Sequence, residues 1–198
     1  MIRAVLFDFG GVIAEEGFYN GLRAIAEQNG LDPDAFFKLG EEIIHGTGYV
    51  TGRTDERTYW DEVRGRTGIR REDAYLREEI LSRFLVRPGM LAHADRLRAS
   101  GRTVCILSDQ TDWLDELDRR THFSGHFDRV YNSYVLHKSK RDGSVFTDVC
   151  RDLALLPEEA LFVDDNINNI RRAAEANLRT IHFTDPAAFG AALAHYGL

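Results

Sequence analysis

The fold is decided by the stretch Val5-Leu6-Phe7-Asp8-Phe9-Gly10-Gly11-Val12-Ile13. An apolar run from Ala4 to Phe7 predicts a buried strand, and the two glycines predict a turn soon after it. Asp8 therefore stands at the carboxyl end of a strand, where open α/β sheets bind their ligands. A strand-end aspartate is equally typical of a turn cap. The residues downstream must decide between these two roles.

Composition restricts the possible classes of protein. The chain has 198 residues, 43% hydrophobic and 29% charged, which predicts one globular domain or one domain with a modest insertion. A net charge of −7 argues against a nucleic-acid surface. Cys105 and Cys150 lie in apolar segments and are expected to be reduced. We find neither a membrane-length apolar segment nor a signal-peptide pattern, and therefore predict a cytoplasmic protein with no membrane partner.

The order of predicted elements indicates an α/β fold. Between Glu16 and Phe84 the apolar residues follow helical spacing in four successive segments, which predicts a small helical bundle. After Pro88 strands and helices alternate, and this alternation predicts a doubly wound parallel sheet covered on both faces.

Candidate functional groups follow four of the predicted strands. They are Asp8, Ser108, the loop from Ser133 to Lys140, and the pair Asp164-Asp165. Parallel strands bring such ends to one crevice. Each group also has a purely structural interpretation: Ser108-Asp109 and Asp164-Asp165 as helix or turn caps, and Lys140 as solvated surface. Four chemically suitable groups at one edge favour a functional site.

These residues carry a family resemblance. The motifs are Phe7-Asp8-Phe9-Gly10-Gly11-Val12, Ile106-Leu107-Ser108-Asp109, Lys140 with Arg141-Asp142, and Phe162-Val163-Asp164-Asp165-Asn166 with Asn169. Over its whole length the chain resembles the haloacid dehalogenase-like hydrolase superfamily. The resemblance implies a Rossmann-like core formed by residues 1–14 and 87–198. It also implies a small four-helix cap, residues 15–86, inserted between the first two motifs.

The resemblance also implies roles for the site residues. Asp8 would be the nucleophile that forms an aspartyl-phosphate, and Lys140 and Ser108, with Asp109 beside them, would bind the phosphoryl group. Mg²⁺ would be the cofactor. Its ligands would be Asp8, the carbonyl of Gly10, and Asp165 with Asp164 behind it, with Asn169 supporting the acidic pair. The implied partner is a small phosphorylated substrate, and the oligomeric state is expected to be monomer or homodimer.

Gly10 departs from the family pattern. Phosphatases of the family usually carry a second aspartate here, which protonates the leaving group and then activates water. Three interpretations follow. The protein is a phosphatase whose substrate leaves without a proton or that uses another acid (Glu15, Glu16 or Asp109); it is a metal-independent 2-haloacid dehalogenase; or it is a catalytically weakened binding protein. The retained pair Asp164-Asp165 favours the phosphatase, because the dehalogenases use no magnesium and carry Ser-x-Asn in this motif. Without any replacement acid, activity should depend steeply on the pKa of the leaving group.

Overall fold

The strands form one parallel sheet. The computed structural model describes residues 1–198. The strands are β1 (Ala4–Phe7), β2 (Thr103–Ser108), β3 (Arg129–Asn132), β4 (Ala160–Asp164) and β5 (Arg179–His182). They pair in the order β3-β2-β1-β4-β5, and every pair is parallel. The predicted parallel α/β fold is therefore confirmed.

Ten α-helices surround or precede the strands. They are α1 (Gly17–Gln28), α2 (Pro33–Gly46), α3 (Glu56–Thr67), α4 (Asp73–Leu81), α5 (Pro88–Ala99), α6 (Trp113–Thr121), α7 (Ser133–Leu136), α8 (Ser144–Asp152), α9 (Ile167–Glu175) and α10 (Pro186–His195). Short 3₁₀ helices cover Tyr49–Thr51, Phe123–His126 and Pro157–Glu159. None of the helices is both long and apolar enough to cross a lipid bilayer.

The central strand β1 is buried on both faces. Val5 and Phe7 belong to the larger apolar cluster, together with residues of α5, α6 and α10, whereas Leu6 belongs to a smaller cluster with residues of α8 and α9. Successive side chains of a strand point to opposite faces, so this run of apolar residues supplies both clusters at once. The chain order reverses between β1 and β4, which is where open α/β sheets leave a crevice.

Two chain segments link α1–α4 to the sheet, and they lie side by side. The Glu15 amide donates to the Leu85 carbonyl at 2.9 Å, and the Arg87 amide donates to the Ile13 carbonyl at 2.8 Å. The side chain of Arg87 also donates from Nε and Nη2 to the two carboxylate oxygens of Glu15. These contacts hold the start of α1 next to the turn that follows β1.

Two local expectations differ from the structure. The sequence predicts Thr54 as the cap of α3, but the cap is Asp55, whose carboxylate accepts from the Thr58 amide at 2.9 Å. Both residue types are common caps, so local sequence does not separate neighbours. The short helix α7 was not predicted. It begins directly after β3, where the Asn132 side chain accepts from the Tyr134 amide.

Candidate active site

The candidate residues lie at the carboxyl ends of the three central strands. Asp8 follows β1, Ser108 ends β2 and Asp164 ends β4. Phe7 is aligned with Ile106 on one side and with Val163 on the other, which sets Asp8 level with the ends of both neighbouring strands. The structure thus brings together the groups that the sequence placed at separate strand ends.

Lys140 reaches this point from the loop between α7 and α8. Its ammonium lies 2.7 Å from Asp8 Oδ2 and 2.7 Å from Asp164 Oδ2. The lysine side chain is 1% exposed and that of Asp164 is fully buried. Burial lowers the pKa of Lys140, but the charges of Asp164 and Asp8 outweigh it and raise the pKa above its ordinary value. Lys140 is therefore a permanently charged group between two carboxylates.

Asp164 and Asp109 hold the frame of the cluster. Asp164 accepts from the Asn166 amide at 2.7 Å and from Asn169 Nδ2 at 3.1 Å. Asp109 accepts from the Lys140 amide through both oxygens, at 2.9 and 3.1 Å, and so positions the lysine loop. Neither aspartate caps the helix that follows it, because α6 begins only at Trp113 and the cap of α9 is Asn166. Asp109 and Asp164 are therefore not helix caps, but Asp164 does cap the turn before α9 by accepting from the Asn166 amide.

Burial shifts the titration of the remaining carboxylates. It raises the pKa of Asp8 well above the usual value, and the Lys140 charge opposes this shift only in part. Burial, together with the charge of Asp164, also raises the pKa of Asp165. Three carboxylates and one ammonium give the cluster a net negative charge when all are ionised, so a bound cation would be stabilised.

The donor set fits a magnesium ion. Carboxylate oxygens of Asp8, Asp164 and Asp165 lie within 4.8 Å of one another, and Mg²⁺ prefers oxygen ligands. Gly11 makes room for this arrangement. Its φ is +77°, and a Cβ at this position would overlap the Asp165 carboxylate. Gly10, the fourth ligand implied by the resemblance, lines the same cavity as Asp8 and Asp165.

A cavity of about 630 Å³ lies over the cluster, with two different walls. What we call the sheet wall consists of Asp8, Ser108, Asp109, Lys140 and Asp165 with the adjoining start of α9. What we call the helical wall consists of side chains from the start of α1 and from α2, namely Glu16, Phe18, Tyr19, Phe37, Glu41, Ile44 and His45. Arg141 and Glu41 form an ion pair of 2.9 Å between the two walls. Of the predicted residues, Ser108 is buried and also lines the cavity.

Several lining residues were not predicted. Gln110 and Thr111 follow the second motif, and Arg172 donates to Asn169 Oδ1 at 3.2 Å from the next turn of α9. The spacing of Arg172 and Asn169 on one helix face could have revealed the arginine. No local signal marks His45, which burial and the charge of Arg141 keep neutral by lowering its pKa to about 4.

Glu16 has an unusual position on the helical wall. Its Oε1 accepts from the Tyr19 amide at 3.3 Å as the cap of α1. Burial, and secondly the charge of Asp165, raises the pKa of Glu16 to about 7. Glu15 differs, because both of its oxygens bond to Arg87. Tyr59 and Trp60, whose helical spacing favours a core position over substrate contact, are indeed fully buried in the larger apolar cluster.

Comparison with known proteins assigns the family. The family model described as haloacid dehalogenase-like hydrolase matches residues 2–177. The chain belongs to this family of hydrolases. This haloacid dehalogenase-like chain is 27% identical over 192 residues to the D-ribitol-5-phosphate phosphatase of Bacteroides thetaiotaomicron, covering 91% of each chain.

Two further comparisons show how much of the chain resembles a curated relative and a solved structure. The haloacid dehalogenase-like chain is 30% identical over 117 residues to bifunctional epoxide hydrolase 2 of Rattus norvegicus. The aligned region covers 56% of this chain and only 21% of the rat protein. The chain thus spans about a fifth of that relative. A solved structure of the HAD family enzyme bt-2542 from Bacteroides thetaiotaomicron, in complex with magnesium and inorganic phosphate, matches with a TM-score of 0.73. The identity is 22%, over 93% of this chain and 95% of the other.

Proposed function

We propose that this hydrolase is a magnesium-dependent phosphatase that cleaves a small phosphorylated metabolite through an aspartyl-phosphate on Asp8. The observation that carries the proposal is the cluster of three carboxylate side chains, Asp8, Asp164 and Asp165, around a single ammonium. Lys140 brings one positive charge to three carboxylates, so two negative charges would stay without a partner if no metal ion were bound. A metal-independent dehalogenase has no use for this arrangement, whereas a phosphatase needs it.

The reaction that we propose has two halves. A carboxylate oxygen of Asp8 attacks phosphorus, and the bond from phosphorus to the leaving oxygen breaks. Water then attacks the phosphorus of the aspartyl-phosphate, the bond to Asp8 breaks, and inorganic phosphate is released. Both halves bring negative groups together, so positive charge at the phosphoryl oxygens lowers the barrier.

The side chains around Asp8 would bind two different groups, the phosphoryl group and Mg²⁺. Lys140 is held as a cation and would pair with the phosphoryl oxygens, to which the Ser108 hydroxyl would donate a hydrogen bond. Asp8, Asp164, Asp165 and the Gly10 carbonyl would hold Mg²⁺, which supplies further neutralisation of the phosphoryl charge. Asn169 would keep Asp164 oriented through its 3.1 Å hydrogen bond.

The helical wall points to the substrate class. Residues 15–86 would act as a cap, because their side chains form the side of the cavity opposite the nucleophile. The cavity volume suits a small metabolite, and its charged and amide groups suit a polyol or sugar with several hydroxyls. The relative named for D-ribitol 5-phosphate supports this class, and the neighbour crystallised with magnesium and inorganic phosphate supports the use of magnesium and phosphate.

A screen of phosphate esters tests the proposal. The purified protein is assayed for phosphate release from sugar and polyol phosphates, with Mg²⁺ and with a chelator, and beside an Asp8→Asn variant. We expect release that requires both Mg²⁺ and Asp8. Halide release from 2-haloacids in the presence of the chelator would instead identify a dehalogenase. Binding of phosphate esters without turnover would identify a binding protein.

A further inference from the structure

The turn after β1 lacks an acid, although its backbone could carry one. Gly10 stands two residues beyond Asp8, where the family's phosphatases usually carry the aspartate that transfers protons. The φ of Gly10 lies outside the left-handed region, unlike that of Gly11 at +77°. Backbone conformation therefore does not demand glycine at residue 10. The reason for glycine must be sought in the surroundings.

The surroundings contain a carboxyl group. A Cβ built on Gly10 would lie 2.7 Å from Glu16 Oε2 and 3.5 Å from Glu16 Cδ, with the Phe84 ring at 3.3 Å on another side. Glu16 thus fills the space that a side chain at residue 10 would need. Gly10 and Glu16 line the same cavity as Asp8. The acid that is missing from the turn is replaced in space by one from the start of α1.

Glu16 is held so that one oxygen stays available. Oε1 accepts from the Tyr19 amide, whereas Oε2, the atom nearest Gly10, makes neither a hydrogen bond nor an ion pair with the protein. Gly17 allows this placement, because a Cβ there would overlap the Phe84 ring that packs beside it. The helix cap fixes the carboxyl, and its second oxygen is left for a ligand.

The other two acids considered for this role are engaged elsewhere. Glu15 bonds through both oxygens to Arg87, at 3.0 and 2.9 Å, and does not line the cavity. Asp109 does line it, but both of its oxygens accept from the Lys140 amide. Among the three acids, Glu16 is the one with an uncommitted oxygen in the cavity.

We infer that Glu16 is the general acid and base of this phosphatase, in place of the aspartate that Gly10 lacks. In the first half of the reaction the Glu16 carboxyl proton passes to the leaving oxygen as the bond from phosphorus to that oxygen breaks. In the second half the Glu16 carboxylate takes a proton from the attacking water as the bond from phosphorus to Asp8 breaks. The net change is hydrolysis of the ester, with Glu16 returned to its starting state. This inference rests on the proposed function.

Leaving-group dependence distinguishes proton transfer from helix capping. Values of kcat/KM are measured with Mg²⁺ for p-nitrophenyl phosphate and for glycerol phosphate, whose alkoxide needs a proton to leave. The Glu16→Gln variant keeps the shape and the capping oxygen but cannot transfer the proton. We expect its activity on glycerol phosphate to fall by about 10²–10⁴-fold, and on p-nitrophenyl phosphate by less than about tenfold. The matched control Glu15→Gln should leave the ratio of the two activities at its wild-type value.

A swap of positions provides the second test. The Glu16→Ala variant loses both the acid and the cap of α1, whereas Glu16→Ala with Gly10→Asp restores only an acid, in space that the alanine has vacated. We expect kcat/KM on glycerol phosphate to be at least about tenfold higher in the double variant than in Glu16→Ala. Gly10→Asp alone should not gain activity, because the new side chain collides with Glu16.

The outcomes separate this inference from the proposed function. Equal losses on both esters in Glu16→Gln, or no loss on either, would overturn the assignment of Glu16 while the phosphatase stands. Failure of the swap to recover activity in a folded double variant would also count against it. If the wild-type protein releases no phosphate from any ester, the proposed function fails and the role of Glu16 falls with it.

Discussion

The two walls of the cavity hold their charged groups in opposite ways. On the sheet wall Lys140 is buried and bonded to two carboxylates, one of them fully buried. On the helical wall Glu41 is nearly half exposed, and its one ion pair joins Arg141 at the surface. Buried charges tolerate little rearrangement, because each loss of a partner is uncompensated. The sheet wall is therefore suited to fixed chemistry, and the part of the helical wall around Glu41 to adaptable recognition.

The largest expected effect comes from removing the buried cation. Lys140→Met leaves Asp8 and Asp164 without their shared partner, and we expect a loss of about 3–5 kcal/mol in the free energy of unfolding. Lys138→Met is the matched control, since Lys138 pairs with Asp148 at the surface and should contribute no more than about 1 kcal/mol. Urea unfolding in the presence of a chelator measures both. Similar losses in the two variants would contradict the contrast between a buried cluster and a surface pair.

The adjacent glycines Gly10 and Gly11 in the turn after β1 each lie against a different wall of the cavity. Gly11→Ala forces a side chain into a left-handed backbone and against Asp165, and should cost about 1–3 kcal/mol of stability. Gly10→Ala meets the far end of the Glu16 side chain and the edge of Phe84, not backbone, so its effect on stability should stay within about 1 kcal/mol. The two variants are compared by thermal and urea unfolding. A stability loss in Gly10→Ala as large as that in Gly11→Ala would show that the helical wall is as rigid as the sheet wall.

Asp165 tests the metal-binding part of the sheet wall. Loss of even a group that only supports a metal ligand typically weakens affinity by about 10–100-fold, so removing the proposed ligand Asp165 by Asp165→Ala should weaken Mg²⁺ binding by at least about tenfold. Stability without metal should not fall, because the raised pKa of Asp165 shows that its charge is disfavoured in the folded protein. Calorimetric titration with Mg²⁺ measures the affinity, with the exposed Glu175→Gln as control. Unchanged affinity in Asp165→Ala would remove it from the ligand set.

The smallest effect is expected where the walls meet. A double-mutant cycle of Glu41→Gln and Arg141→Gln should give a coupling energy of about 0.2–1 kcal/mol, as is typical of exposed pairs. The same cycle applied to KM for the best substrate reports whether the pair also contacts the ligand. A coupling above about 2 kcal/mol would mean that the walls are clamped together, and the contrast drawn above would be wrong.

The α/β fold could be predicted because its signals are local. The run Ala4–Phe7, the alternation of elements after Pro88 and the acids at strand ends all lie in short windows of sequence, and parallel pairing then brings the strand ends together. Helix starts were less predictable, as Asp55 in place of Thr54 shows, since both neighbouring residues are of types that commonly cap helices. The roles of Asp8, Lys140, Asp164 and Asp165 remain predictions, although their side chains do meet.

The sequence by itself determined the haloacid dehalogenase-like fold, the groups at the sheet edge and the absence of a carboxyl at Gly10. Only the tertiary structure decided which acid lies beside that glycine. Glu15 and Glu16 are neighbours of the same type, and no periodicity tells which one faces the cavity. The choice depends on close packing between α1 and α4, where a Cβ at Gly21 would lie 2.6 Å from the Ile80 Cα. Such contacts join residues far apart in the chain, so they exist only once the helices have packed.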